Sequence, residues 1–286
     1  SSLWKARKII KKFNPQVVIG VGGYASGPTL QMANLLGIPT LLQEQNSYPG
    51  KTNRILAKKA KAVCVAYENL ESVFGKEKLH MTGNPVRLSA IPADNNQAQA
   101  RKNIGLNPDL KTIFIMGGSL GAKTINDSMT LHIEQIENSG FQLLWQVGKF
   151  YFDGIEENLK PKKYKNIHYS AFIQNMADAY CAADIIVSRA GALSVSELCL
   201  VGKPAILVPS PNVSEDHQTK NAMALVNKGA AILVKDTNAR FSLVPCIFDL
   251  MSNEKEQQEL SENILKMGKS HATKDILNVI ESIAKH

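Results

Sequence analysis

A chain of 286 residues, 44% hydrophobic and 20% charged, reads as an ordinary soluble globular protein with core enough for one large domain or two smaller ones. Its four cysteines, Cys64, Cys181, Cys199 and Cys246, are too scattered for a disulfide framework or a thiolate metal site, so a reducing cytoplasm is expected and no metal is implied. No apolar run reaches the roughly 18 residues that a membrane span needs, which limits any membrane contact to a peripheral one.

The formal charge of +8 belongs to the first third of the chain, where 13 Lys and Arg stand against 4 Asp and Glu up to Ala90. An anionic surface or substrate met by that part alone is expected. The opening SSLWKARKIIKKF has no hydrophobic signal region, and it projects as a helix over 3–13. Leu3, Ala6, Ile9, Ile10 and Phe13 share one face of it, while Trp4 lies among Arg7, Lys8, Lys11 and Lys12 on the other. A Trp ringed by Lys is placed as an interfacial anchor, which makes Trp4, Lys8 and Lys11 candidates for membrane contact. The plainer reading is a solvated basic face.

From residue 16 onward, Val-, Ile- and Leu-rich runs alternate with helical stretches. Strands are expected at 16–21, 38–43, 62–66, 111–116, 141–147, 184–188, 204–209 and 230–234. That rhythm means parallel βαβ units. It breaks at SAIPADNNQAQARKNIGLNPD, a polar stretch with two prolines that reads as the connection between two sheets. After Glu254 only helix follows. The expected fold is α/β, with two Rossmann-like, doubly wound parallel-sheet domains facing a cleft. The expected domains are 1–90, 91–268 and a C-terminal helix, 269–286, packing back on the first.

Open parallel sheets bind ligands where strands lead into helix N-termini. Three such places are glycine-rich: GVGGYASGP at 20–28, MGGSLGA at 116–122 and SRAGALSVSE at 188–197. Glycines let the backbone approach a phosphate, and free N–H groups at a helix start attract negative charge, so a nucleotide diphosphate is the natural guest. One such loop alone is as readily a tight turn. The third loop adds Arg189, Gly191, Ser194 and Glu197, whose carboxylate can accept two hydrogen bonds from a ribose diol. As a bare helix-terminal charge, Glu197 needs no ligand. The string Gly117-Gly118-Ser119-Leu120-Gly121 also fits the nucleophile elbow G-x-S-x-G, but its would-be partners Asp216 and His217 are adjacent and tend to point apart. No loop has the G-x-G-x-x-G spacing of a dinucleotide site.

Together with QEQNSYPGKTN at 43–53, TGNPVR at 82–87, GKPAILVPSP at 202–211 and DHQTKNA at 216–222, these loops resemble the MurG-type family of bacterial cell-wall N-acetylglucosaminyltransferases, and beyond it the two-domain GT-B glycosyltransferases. The resemblance runs in order from Val17 to about Ala224. It implies transfer of N-acetylglucosamine from UDP-GlcNAc to the C4 hydroxyl of undecaprenyl-linked MurNAc-pentapeptide, with inversion and without cofactor or metal, at the cytoplasmic face of the cell membrane. It implies no nucleic-acid partner. On the donor side it assigns the backbone of Ile173 to the uracil and Glu197 to the ribose. Gly118, Ser119 and the amides of Ala192, Leu193 and Ser194 take the diphosphate, Gln218 and Asn221 the sugar, and Arg87 the donor from across the cleft. Tyr24, Glu44, Asn46 and Asn126 match further functional positions, mostly on the acceptor side.

The sequence departs from that family at Gln43, where His is usual, and at Leu120, where Gln is usual. The family also begins with a strand and a glycine-rich loop whose histidine is the favoured general base, whereas this sequence opens with Ser at a later helix. It reads as a truncated or fragmentary chain that binds donor and transfers poorly alone, with Glu44 the next base to suspect. A different class of reading is a non-catalytic UDP-sugar-binding fragment, or half of a split GT-B transferase.

Overall fold

The computed structural model describes residues 2–284; the last two residues of the expected C-terminal helix lie outside the described residues. The chain divides into two compact units, one formed by the part up to Val86 together with the part from Lys269 onward, the other by Arg87–Gly268.

The first unit holds a parallel four-stranded sheet in the order β1-β2-β3-β4, built from Val18–Gly20, Thr40–Glu44, Ala62–Val65 and Leu79–Met81. β2 and β3 are buried along their whole length, as the continuous apolar runs of a doubly covered parallel sheet require. β4 was not expected. Its three residues LHM are only half-buried at the sheet edge, so the run is too short and too mixed to read as a strand. Helix Ala272–Ile283 closes one side of this unit, where Val279 packs with Leu41, Ala62 and Cys64.

Helix Ser2–Phe13 corrects the one-face reading of the opening segment. It buries Ala6 and Ile10, but Ile9 and Phe13 are 66% and 79% exposed, as open as Trp4 at 69%. The Arg7 guanidinium stands 5.5 Å from the Trp4 ring centroid. Apolar and basic side chains therefore share the solvent side.

The second unit carries a parallel six-stranded sheet. Its strands are β5 Thr112–Met116, β6 Gln142–Gln146, β7 Ile167–Ser170, β8 Ile185–Ser188, β9 Ala205–Leu207 and β10 Ile232–Leu233, in the order β10-β9-β8-β5-β6-β7. β7, an edge strand with sequence IHYS, also escaped the pattern because only Ile167 is buried. The order is doubly wound: the chain leaves β5 towards β6 and β7, then returns to the other side for β8. The switch point lies between β5 and β8, whose last residues, Met116 and Ser188, are register partners.

The polar segment expected as a bare connection contains helix Gln97–Asn103, capped by the Asn96 side chain. Arg101, 7% exposed, meets Asp184 at 2.7 Å and donates to the Ala182 and Pro108 carbonyls. Asp184 also accepts the Thr112 amide at 2.6 Å, so one buried ion pair ties this helix to the starts of β5 and β8. Polar composition concealed a core contact.

Candidate active site

The register of β5 and β8 sets the loops 117–122 and 189–191 side by side at the carboxyl edge of one sheet. The glycine-rich loop at 20–28 belongs to the other unit.

After β5, Gly118 and Gly121 both take left-handed φ values of 87°, and a Cβ on Gly121 would strike the Val147 carbonyl. This backbone-on-backbone contact presses the loop against the end of β6 and leaves Gly118, Ser119 and Leu120 exposed before helix Lys123–Leu131. After β8, Gly191 opens helix Ala192–Val201 in an extended conformation with no side-chain cap. By helix geometry the amides of Ala192, Leu193 and Ser194 have no acceptor inside the helix, which makes that end an anion-binding terminus.

Arg189 is not a ligand-facing cation. Its Nη1 meets Asp236 Oδ1 at 2.5 Å and the carbonyls of Val208 and Pro209 at 3.0 and 3.2 Å, while Asp236 Oδ2 accepts from Thr124. The pair is well buried and pins the ends of β8 and β9 to two helices.

Glu197 sits in the second turn of its helix. Its half-buried carboxylate accepts the Tyr180 hydroxyl at 2.9 Å on Oε2. Burial, reinforced by the nearby Glu197 charge, raises the Tyr180 pKa, which keeps the phenol a donor. Gln218 Oε1 accepts the amides of Ala190 and Ser210 at 3.2 and 2.8 Å. Asn221 is fully buried and donates to the Ala190 carbonyl at 3.3 Å, which makes it a support of the loop. Before their helix, Glu215 and Asp216 are consecutive left-handed residues at φ 55° and 52°, a strained approach of the kind that clusters at functional sites. His217 Nε2 lies 3.6 Å from Glu215 Oε2.

Two residues of this site escaped the sequence reading. Gln146, 4% exposed at the end of β6, donates to the Gly118 carbonyl at 3.2 Å and accepts the Ile173 amide at 3.0 Å. The only signal for it was an amide side chain ending an apolar strand just ahead of Gly148. Tyr180 gave no signal, lying in the small-residue helix Met176–Ala182. Asn126 is also buried: it accepts from Trp145 Nε1 and donates to the Val147 carbonyl, both within the core. Arg87 is exposed and begins this unit.

In the first unit, Glu44 is 2% exposed and its carboxylate is occupied on both oxygens. Oε1 accepts the Asn46 amide at 3.0 Å, and Oε2 accepts the Gly50 amide at 3.0 Å and Asn53 Nδ2 at 2.8 Å. Glu44 thus folds the QEQNSYPG loop onto helix Lys51–Leu56, a geometry that argues against it as a stand-in base. Gln43 Nε2 reaches the Gly83 carbonyl and Asn84 Oδ1, and Asn84 returns to the Gln45 carbonyl at 3.0 Å. The QEQN and TGNPVR motifs are therefore one hydrogen-bonded cluster. Tyr24 is 90% exposed in the loop after β1.

Residues 112–278 match the glycosyltransferase family 28 C-terminal domain, and residues 1–65 match the family 28 N-terminal domain. This chain belongs to glycosyltransferase family 28. A family 28 relative from Bacteroides fragilis, the UDP-N-acetylglucosamine--N-acetylmuramyl-(pentapeptide) pyrophosphoryl-undecaprenol N-acetylglucosamine transferase, is 54% identical over 265 residues, 92% of this chain and 70% of its own. The crystal structure of Acinetobacter baumannii MurG superposes with a TM-score of 0.78 at 30% identity, covering 98% of this chain and 77% of that one. A UDP-GlcNAc 2-epimerase from Neisseria meningitidis, solved with UDP-GlcNAc, gives a TM-score of 0.70 at 15% identity over 98% of this chain and 80% of its own, a likeness of fold alone. The α/β GT-B fold class expected from the sequence is thereby established for this family 28 chain. Among its described residues no cluster of His, Cys, Asp or Glu could hold a metal ion, and no helix is long and apolar enough to cross a membrane.

Proposed function

We propose that this chain transfers N-acetylglucosamine from UDP-GlcNAc to the C4 hydroxyl of undecaprenyl-pyrophosphoryl-MurNAc-pentapeptide, converting lipid I to lipid II with inversion, in peptidoglycan synthesis. The observation that carries the reading is the pairing of Met116 with Ser188, which brings a glycine loop and an uncapped helix N-terminus to one edge of one sheet. The names of the 54%-identical and similar relatives supply the substrates. They also disfavour a non-catalytic UDP-sugar module.

In this reading the uridine lies along the second unit. Ile173 meets the uracil, Glu197 the ribose diol, Gly118, Ser119 and the amides of Ala192, Leu193 and Ser194 the diphosphate, and Gln218 the sugar. Asn221 acts behind Gln218, and Arg87 supplies an exposed cation to the donor. As the bond to the anomeric carbon breaks, UDP gains negative charge, and the helix dipole with its unpaired amides is already aimed at that charge. The site works without a metal or a cofactor. Tyr24, Asn46 and the loop that Glu44 holds serve the acceptor, while Asn126 stabilises the end of β6 from within.

The first unit is the acceptor and membrane side in this proposal, and the second binds the donor. Docking is peripheral, at the cytoplasmic face of the membrane, through Trp4, Lys8 and Lys11 with the exposed Ile9 and Phe13 beside them. The deciding assay supplies UDP-GlcNAc and a lipid I analogue and follows release of UDP together with the disaccharide product. UDP-GlcNAc hydrolysis without a glycosylated acceptor would overturn the assignment.

A further inference from the structure

We propose that Tyr180 is a positioning residue for ribose recognition, fixing the plane of the Glu197 carboxylate so that its second oxygen meets the sugar diol. The inference rests on the reading of Glu197 as the ribose-binding residue. A carboxylate on a flexible side chain turns freely about its last torsion, whose preference is broad and two-fold. To accept two hydroxyls of a diol it must hold one plane. Tyr180 supplies that restraint from behind, its hydroxyl donating to Oε2 at 2.9 Å.

The restraint is itself rigid. Tyr180 is completely buried, and its ring meets Phe114 of β5 edge-on, with centroids 5.7 Å apart and planes at 70°. Met116 Sδ stands 3.6 Å from the same hydroxyl, a far weaker acceptor than a carboxylate. Tyr180 has one proton to give, and it goes to Oε2. Among the described residues Tyr180 is the one donor to the Glu197 carboxylate, which leaves Oε1 available to a ligand. Helix Met176–Ala182 thereby contributes to nucleotide selectivity without a side chain in contact with the nucleotide.

The test is the ratio of dissociation constants for UDP and 2′-deoxy-UDP, measured by titration calorimetry on the whole chain. The original chain should prefer UDP by about tenfold, the size of one hydrogen bond to a charged group. Tyr180→Phe keeps the ring against Phe114 and removes only the hydroxyl. It should weaken UDP by about tenfold and 2′-deoxy-UDP, which keeps only the 3′ hydroxyl of the diol, by less, so that the ratio falls towards one. A merely structural tyrosine would weaken both ligands alike, so an unchanged ratio overturns the proposal whatever happens to the absolute affinities. If the variant is less stable, the titrations are repeated at a lower temperature, and ligand-induced shifts in Tm with both nucleotides give an independent measure of the same preference. Glu197→Ala separates the two levels of the argument. Loss of the ratio in Glu197→Ala with its retention in Tyr180→Phe removes Tyr180 alone, whereas retention in both removes Glu197 from the ribose and the proposal with it.

Discussion

Gln146 accepts the Ile173 amide at 3.0 Å while its own Nε2 holds the Gly118 carbonyl at 3.2 Å, so one buried side chain spans the segment assigned to the uracil and the loop assigned to the diphosphate. Gln146→Leu would leave the Ile173 N–H and the Gly118 carbonyl without this partner and release the two loops from each other. UDP affinity should fall by about 1–3 kcal/mol, the cost of an unsatisfied buried polar group. Calorimetric titration with UDP checks this, and circular dichroism should show secondary structure retained. Undiminished UDP affinity would mean that the two loops are held independently.

The Arg101–Asp184 pair is a stability element remote from the chemistry. Its side chains are 9% and 17% exposed, and Asp184 also holds the Thr112 amide. Arg101→Ala leaves a buried carboxylate without its cation, and the expected loss is about 3–5 kcal/mol in urea unfolding. Lys203 nearby is half-buried, and burial lowers its pKa, so it is a weak replacement for the missing charge. A midpoint close to that of the original chain would show that this interior is wetter than its geometry suggests.

Glu44 organises its loop through Asn46, Gly50 and Asn53, which predicts an effect confined to the acceptor. Glu44→Ala should raise KM for a lipid I analogue and leave the dissociation constant for UDP unchanged. If Glu44 were instead the general base, kcat would fall by about 10²- to 10⁴-fold with acceptor KM little altered. Steady-state kinetics in both substrates distinguish the two outcomes.

Membrane docking is expected to need both the apolar and the basic side chains of helix Ser2–Phe13. Trp4→Ala with Phe13→Ala removes the exposed insertion groups, and Lys8→Glu with Lys11→Glu reverses two charges. Each lost basic charge should cost about 1 kcal/mol on anionic vesicles and nothing on neutral ones. Co-sedimentation with the two vesicle types is the measurement. Equal binding to both would leave this helix as ordinary basic surface.

The thiols should be silent in the native protein. Burial pushes Cys64 up to about 11 and Cys199 up to about 12, and it also raises Cys181 and Cys246. A raised thiol pKa means the neutral, unreactive form prevails below it, so at pH 8 an aromatic disulfide reagent should label the folded chain slowly and all four cysteines once unfolded. Rapid stoichiometric labelling of the native chain would contradict the burial of these groups.

How far the sequence reaches is clear from particular elements. Long apolar runs such as Thr112–Met116 and Ala62–Val65 declare themselves as buried parallel strands, because a strand covered on both faces has no room for polar residues. Glycine loops at the ends of β1, β5 and β8, together with QEQN, TGNPVR and DHQTKNA, carry the family, since backbone approach to a phosphate restricts residue type locally. The edge strands Leu79–Met81 and Ile167–Ser170 were invisible because a half-buried edge imposes no such restriction. The division of labour among polar residues was decided by tertiary structure alone. Glu44, Asn126 and Asn221 read as substrate ligands or catalytic groups, and Arg189 as part of a phosphate loop, yet the hydrogen bonds they make hold the protein's own loops and core. Gln146 and Tyr180 looked like ordinary strand and helix residues, yet each faces a site element from a different segment of chain. A hydrogen bond is made in space between groups far apart in sequence, so its partner cannot be inferred from neighbours along the chain, whereas burial periodicity and loop chemistry can.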